Sequence, residues 1–206
     1  MTTADKPPTP RWFSATGEGH SQWYIERFRK MAADGADLAG EARFLDALIA
    51  PGSRVLDAGC GPGRLSAELH ARGHTVVGVD VDPELIEAAG VDHPGPTWVN
   101  ADLAALDLPS LGIEEPFDAA LCAGNVMPFL APGTGAAVLT NLRRHVRPDG
   151  PIAIGFGTDR EYALAQFDAD IETAGLLVEH RFATWDIRAW YDDAPFAVTV
   201  LRVPEA

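Results

Sequence analysis

A short glycine-rich stretch, VLDAGCGPGRLS at residues 55–66, constrains the fold of this chain more than any other feature. An apolar run leads into Gly59, Gly61 and Gly63, and a run with helical spacing follows. Glycines in such a loop allow a tight turn and let a ligand approach the backbone closely, while the amides that open the next helix face that ligand. The stretch therefore predicts a strand, a ligand-binding loop and a helix.

Apolar strands alternate with helical segments along most of the remaining chain. This rhythm is typical of a parallel sheet that helices cover on both faces. Two extended runs, 176–190 and 194–203, end the chain with a short polar link between them and predict an antiparallel hairpin. The predicted strands before the hairpin are 54–58, 75–80, 97–102, 117–123 and 151–157, and the helices between them are 64–72, 83–89, 134–147 and 160–174.

The first fifty residues lie outside this alternation. Residues 1–18, which begin with a stretch rich in Pro and Thr, predict a flexible N-terminal tail. Helical spacing over 21–33 and 37–49 predicts an N-terminal helical lid at about residues 19–50. A chain of 206 residues suits one domain, which we assign to 19–206.

Composition restricts the partners and the compartment. With 16 Lys and Arg against 30 Asp and Glu, the chain repels phosphate backbones and anionic lipid, which predicts no nucleic-acid and no membrane partner. No apolar run approaches the roughly 20 residues that span a bilayer, and the N-terminus does not look like a secretory signal. Two cysteines, Cys60 and Cys122, are too few for a disulfide scaffold. We expect a cytoplasmic monomer or homodimer.

Three acids follow successive predicted strands and should line the crevice where open α/β sheets bind ligands. A carboxylate at Asp57 would face the loop, repel a pyrophosphate and attract an ammonium group. Asp80 can accept hydrogen bonds from both hydroxyls of a ribose, and Asp102 can accept one from an exocyclic amine such as that of adenine. Structural alternatives stay open: each acid is also of a type that caps helices or turns, and Asp82 before Pro83 is expected to cap a helix.

The chain resembles the class I S-adenosylmethionine-dependent methyltransferases over about residues 40–206. Five segments carry the resemblance in the family's order: VLDAGCGPG, VVGVDVDPELI, NADLAAL, FDAALCAGNVM and LRRHVRPDGPIAIGF. It implies a Rossmann-like α/β fold with a seven-stranded, mostly parallel sheet, helices on both faces and a C-terminal antiparallel hairpin. It also implies S-adenosylmethionine as cofactor and methyl transfer by in-line displacement.

The resemblance assigns parts of the cofactor to parts of the chain. The glycine loop would hold the methionine part with Asp57 near its amine, Asp80 would hold the ribose, and Asp102 with Leu103 would hold the adenine. The full set of implied cofactor contacts is Asp57, Ala58, Gly59, Cys60, Gly61, Gly63, Asp80, Val81, Asp102, Leu103, Cys122, Ala123 and Gly124.

The sequence defines the acceptor side less sharply. Tyr24, Arg27 and Asn125 are candidate substrate contacts, and His20 is a weak candidate for a general base, although such residues more often belong to an ordinary surface. Methyl transfer from an activated sulfonium needs no obligatory catalytic residue, and no metal site is predicted by spacing. The short segment after the fifth strand favours a small-molecule acceptor. Two alternatives stay open: a non-catalytic S-adenosylmethionine-binding or scaffold protein, and an NAD(P)-dependent reductase, which Asp57 and the terminal hairpin disfavour.

Overall fold

Seven strands form one sheet in the computed structural model, which describes residues 8–205. The strands are β1 Arg54–Ala58, β2 Thr75–Asp80, β3 Thr97–Asn100, β4 Ala119–Cys122, β5 Pro151–Gly157, β6 Leu177–Phe182 and β7 Phe196–Arg202. Their order across the sheet is β3-β2-β1-β4-β5-β7-β6. The first five strands pair in parallel, whereas β7 is antiparallel to both β5 and β6. The predicted Rossmann-like α/β fold is therefore confirmed.

Helices cover both faces of this sheet. In the part of the chain that the structure describes they are α1 Arg11–Ser14, α2 His20–Ala33, α3 Gly40–Asp46, α4 Arg64–Ala71, α5 Pro83–Asp92, α6 Val126–Phe129, α7 Gly135–His145 and α8 Leu164–Ala174. None of the helices within residues 8–205 is long and apolar enough to cross a bilayer.

Neighbouring residues of one strand enter opposite cores. Val55 and Leu121 pack with α3 and α4, while Leu56 and Cys122 pack with α7 and α8. Side chains alternate between the two faces of a strand, so a sheet covered on both faces requires an almost continuous apolar sequence. This requirement explains why the central strands read as unbroken hydrophobic runs.

The terminal hairpin has a longer connection than the sequence predicted. β6 ends at Phe182, and the extended run predicted to reach residue 190 is wrong from residue 183 onward. The chain turns there because Trp185 packs inward against Phe44, with ring centroids 5.4 Å apart, and covers Gly155 of β5. The two strands of the hairpin are therefore joined by an irregular segment, 183–195.

The N-terminal segment also departs from its prediction. Helix α1 lies inside the stretch 1–18 that we predicted to be a flexible tail, and Trp12 in that helix finds a buried hydrogen-bond partner. Residues 1–7 of the predicted tail lie outside the described residues. Helix α3, which we placed in the lid, belongs to the core because Ala42 and Leu45 are fully buried. We call residues 10–33, which hold α1 and α2, the lid.

Candidate functional site

A cavity opens beyond the carboxyl ends of β1, β2 and β4. The loop after β1 and the acid that ends β2 form its floor, and the lid covers it. Apolar residues of the segment after β4 close the remaining side. The lining residues are Pro10, Trp12, Tyr24, Phe28, Gly59, Cys60, Gly61, Pro62, Arg64, Leu65, Asp80, Val81, Leu85, Asp102, Leu103, Ala123, Gly124, Val126, Phe129, Leu130 and Ala131.

The three glycines of the loop serve different purposes. A Cβ atom on Gly59 would lie 2.2 Å from Val126, and one on Gly63 would lie 2.6 Å from Trp98. Packing and conformation both favour glycine there, because a methyl group would force its neighbour to shift and both residues have a positive φ. Gly61 differs: its nearest neighbour would be a ring carbon of Tyr24 at 3.6 Å, so its backbone faces the cavity. The loop thus offers a ligand close access to the main chain at Gly61.

The ring of Trp98, on β3, supports this loop from below. It occupies the space that a Cβ atom would need on Gly78 of β2, at 2.6 Å, as well as on Gly63. Its indole N–H donates to the carbonyl of His93 at 3.3 Å. One aromatic ring therefore sets the spacing between the start of α4 and the middle of β2.

Asp80 ends β2 at the centre of the cavity floor. Its Oδ2 accepts the amide N–H of Gly61 at 2.9 Å, and its Oδ1 accepts that of Asp82 at 2.9 Å. The side chain is nine-tenths buried, and this burial raises the pKa of the Asp80 carboxyl to about 6. A carboxylate oxygen has more than one acceptor site, so Asp80 keeps capacity for ligand hydroxyl groups.

Asp57 does not open onto the cavity, contrary to the expectation that it would face the ligand loop. It shares with Val55 the face of β1 that α4 covers, and its Oδ2 accepts the hydroxyl of Ser66 at 2.6 Å. It is 1% exposed, and burial raises the pKa of its carboxyl to about 6. The alternation of side chains along β1 explains the difference, because position 57 falls on the helix-covered face.

Asp102 both lines the cavity and caps a turn. It lines the cavity together with Leu103, and its Oδ1 also accepts the amide N–H of Ala104 at 2.9 Å, which opens a short 3₁₀ turn. The cap predicted for Asp82 is confirmed, since its Oδ1 accepts the amide N–H of Glu84 at 2.9 Å. Capping and ligand binding are compatible at Asp102 because a carboxylate has a second oxygen.

The side of the cavity opposite the floor, which we call the roof, contains aromatic rings of the lid. The indole N–H of Trp12 donates to Oδ2 of Asp82 at 2.6 Å, and its ring meets those of Tyr24 and Phe129 edge-on, at centroid distances of 5.4 and 5.7 Å. Burial is the main cause that raises the pKa of the Tyr24 phenol, so this hydroxyl stays protonated at neutral pH. The roof is therefore apolar, with one hydroxyl group that can donate or accept.

Arg64 is a cavity residue that the sequence reasoning missed. Its guanidinium lies 5.3 Å from the ring centroid of Phe28, donates to the carbonyl of Leu38 at 2.6 Å and is paired with Glu41. Its position directly after the glycine loop was the signal that could have revealed it. Phe129 was also missed, although it lies in the apolar run that follows β4.

The structure brings together some of the predicted site residues and leaves others outside the lining. Arg27 is exposed beside the ring of Trp23, His20 stacks on that same ring, and Asn125 accepts the amide N–H of Gly157 at 2.7 Å. The predicted residues that line the cavity are Gly59, Cys60, Gly61, Asp80, Val81, Asp102, Leu103, Ala123, Gly124 and Tyr24. The predicted residues that lie outside its lining are Asp57, Ala58, Gly63, Cys122, Arg27, Asn125 and His20.

Comparison with known proteins identifies the family. A family model described as a methyltransferase domain matches residues 55–150. A TehB-like S-adenosylmethionine-dependent methyltransferase from Corynebacterium glutamicum is 39% identical, and the match covers 90% of this chain and 99% of that one with a TM-score of 0.84. The chain belongs to the S-adenosylmethionine-dependent methyltransferases. Membership confirms the resemblance drawn from the five segments and makes S-adenosylmethionine the cofactor.

Two groups of curated methyltransferases are similar over shorter stretches. The ubiquinone biosynthesis O-methyltransferase of Xanthomonas campestris is 31% identical over 129 residues, which is 56% of this chain and 52% of that protein. The trans-aconitate 2-methyltransferase of an Azoarcus species is 35% identical over 152 residues, which is 69% of this chain and 56% of that protein. The match to these relatives therefore spans about half of their length.

Proposed function

We propose that this methyltransferase transfers a methyl group to a small, largely apolar acceptor that binds beneath the aromatic lid. The proposal rests on one observation, which is that two chemically different surfaces line the same cavity. Gly61 and Asp80 form a polar floor, whereas Trp12, Tyr24 and Phe129 form an aromatic roof. A polar floor suits the cofactor, and an aromatic roof suits an acceptor with apolar surface.

We assign the cofactor to the floor because the floor offers hydrogen-bond acceptors and an accessible backbone. Asp80 would accept the ribose hydroxyls, Asp102 would accept the exocyclic amine of adenine, and Gly61 would lie against the methionyl part. Asp57 would act indirectly, because its bond to Ser66 orients the first turn of α4 below the loop. This indirect role differs from the contact that the family resemblance implied for Asp57.

The chain's contribution to the reaction is alignment and exclusion of water. Bound S-adenosylmethionine supplies a methyl group on a positively charged sulfonium. The rings of Trp12 and Phe129 would keep the site dry, which favours a step that disperses charge, and the hydroxyl of Tyr24 would orient the acceptor atom. A general base is not part of the proposal, because the ring of His20 lies on Trp23 and outside the cavity lining.

A calorimetric titration tests the cofactor assignment directly. We expect micromolar binding of S-adenosylmethionine and S-adenosylhomocysteine, about 8 kcal/mol of binding free energy, and no binding of NADH. Binding of NADH alone would instead support the reductase alternative. The variant Asp102→Ala is expected to weaken both adenosyl ligands to the same degree, because they share the adenine.

An acceptor screen tests the transfer itself. Release of S-adenosylhomocysteine is measured with neutral phenols, apolar amines and carboxylic acids, since the names of the curated relatives point to ubiquinone precursors and to trans-aconitate. We expect turnover with apolar phenols or amines and a lower rate in Tyr24→Phe, which keeps the ring and removes the hydroxyl. Tight cofactor binding without turnover across the whole panel would favour the non-catalytic binding protein.

A further inference from the structure

One buried carboxylate joins the lid to the acid of the cavity floor. Asp82 is 2% exposed and lies two residues after Asp80. Its amide N–H donates to Oδ1 of Asp80 at 2.9 Å. Its own Oδ2 accepts the indole N–H of Trp12 at 2.6 Å and the hydroxyl of Ser21 at 2.5 Å. A chain of hydrogen bonds therefore runs from the lid to the acid that we assign to the ribose.

The other polar attachments of the lid are more exposed to water. The lid also has an apolar attachment, because Ile25 of α2 is buried together with Leu85 and Ala88 of α5. Arg11 pairs with Glu161 at 2.9 Å, but the side chain of Glu161 is 77% exposed. Arg29 of α2 makes two hydrogen bonds to Asp92 of α5, at 2.8 and 3.0 Å, but its side chain is 47% exposed. Hydrogen bonds to a buried carboxylate are stronger than exposed ion pairs, which water and salt screen. The contacts of Asp82 are therefore the firmest polar attachment of the lid.

We propose that Asp82 is a positioning residue, which holds the lid closed over the cavity and couples that closure to cofactor binding at Asp80. This inference rests on the proposed function of the cavity. A ligand that bonds to Asp80 fixes the carboxylate to which Asp82 is attached, and Asp82 in turn fixes Trp12 in the roof. Because the roof lies over the ligand, release requires the bonds of Trp12 and Ser21 to open first.

Two variants and a matched control separate this role from simple folding. Asp82→Asn keeps an oxygen for the Glu84 amide but presents an NH₂ group to the two donors of the lid. Trp12→Phe keeps an aromatic ring and removes the donor. The control, Trp23→Phe, changes a tryptophan of the same lid that is 53% exposed.

The measurement is the dissociation rate of S-adenosylhomocysteine, followed by stopped-flow displacement, with the thermal midpoint recorded for each protein. We expect release to be about tenfold faster in Asp82→Asn and in Trp12→Phe, and unchanged in Trp23→Phe. The double variant Asp82→Asn with Trp12→Phe is expected to release the ligand less than twice as fast as the faster single variant, because both changes open the same link.

Fluorescence gives a readout that loss of stability alone would not move. Ligand binding should change the tryptophan emission of the wild type, and this change should be missing in Trp12→Phe but present in Trp23→Phe. Equal dissociation rates in the wild type and in Trp12→Phe would overturn the inference and leave the proposed function intact. Failure of the wild type to bind S-adenosylhomocysteine would overturn the proposed function itself. If Asp82→Asn does not fold, Trp12→Phe decides the question.

Discussion

The floor and the lid of the cavity are built in contrasting ways. The floor is held by backbone hydrogen bonds and close packing, as at Asp80, which accepts two amide N–H groups, and at Gly63, which has no room for a methyl group. The lid is held by side chains: Trp12 and Ser21 bond to the buried Asp82, Arg29 pairs with Asp92, and Ile25 packs on α5. The floor is therefore shaped before any ligand binds, whereas the lid can open at the expense of a few contacts. Changes in the floor should alter stability and affinity, and changes in the lid should alter rates.

The largest effect is expected at Gly63 of the floor. Gly63→Ala combines a φ of 89° with a Cβ atom 2.6 Å from Trp98, and we expect it to lower the free energy of unfolding by about 3 kcal/mol. The matched control is Gly73→Ala, because Gly73 has a φ of 95° but nothing within 4 Å of its Cβ position. Urea unfolding measures the loss of stability in both variants, and the extra loss in Gly63→Ala is the part caused by the clash with Trp98. Equal losses would mean that backbone strain alone accounts for the effect.

The second effect concerns the buried carboxyl of Asp57. Its ordinary pKa of 3.8 is raised to about 6 in the folded protein, so the folded state binds the proton more tightly than the unfolded state does. Its contribution to the free energy of unfolding must fall as pH rises from about 4 to about 6, and then stay level. We expect Asp57→Asn, which keeps an acceptor for Ser66, to gain about 2 kcal/mol relative to the wild type between pH 4 and pH 7.5.

Urea unfolding at the two pH values measures this difference. The exposed acid Glu87 supplies the control, because Glu87→Gln should leave the slope with pH as it is in the wild type. If the change of stability with pH were the same in Asp57→Asn as in the wild type, burial of the Asp57 carboxyl would have no electrostatic cost.

The third effect is on ligand affinity. Asp80→Ala is expected to weaken the binding of S-adenosylhomocysteine tenfold or more, a loss of at least about 1.4 kcal/mol, because the ribose loses its acceptor. Titration calorimetry compares this variant with Glu87→Ala, which removes an acid from an exposed position on α5. Unchanged affinity in a folded Asp80→Ala protein would contradict the ribose assignment.

The smallest effect is expected at the margin of the lid. Glu161→Ala removes the exposed partner of Arg11 and should lower the free energy of unfolding by about 0.5 kcal/mol or less. Thermal unfolding at low and high salt measures it, with Glu18→Ala as an exposed acidic control on the lid. A loss above about 1 kcal/mol would mean that an exposed ion pair fixes the lid as firmly as packing fixes the floor.

Local patterns were enough to predict the fold and most of the floor. The strand, the glycine loop and the following helix are contiguous in sequence, so the positions of Gly61 and Asp80 follow from the order of elements. The direction of Asp57 could not be predicted, since only the finished packing of α4 on β1 decides which face of a short strand the helix covers.

The lid could be predicted only in outline. Trp12 and Ser21 meet Asp82 across separations of 70 and 61 residues, and nothing in a single sequence marks which distant side chains will pair. The cap at Asp82 was predictable because Pro83 follows it, but the cap uses only one of its two oxygens. Phe129 was missed for the same reason, since its place in the cavity depends on contacts between elements, whereas Arg64 could have been found from its position directly after the glycine loop.

The ring of Trp98 has a consequence for how such a sequence can change over generations. Gly63 and Gly78 are far apart along the chain, yet both leave room for this one ring. A side chain at position 78 would be accepted only where position 98 had already become smaller, whereas at position 63 the φ of 89° would still strain it. In related proteins we expect residues 78 and 98 to vary together, so that the packing beneath the glycine loop depends on a strand that does not line the cavity.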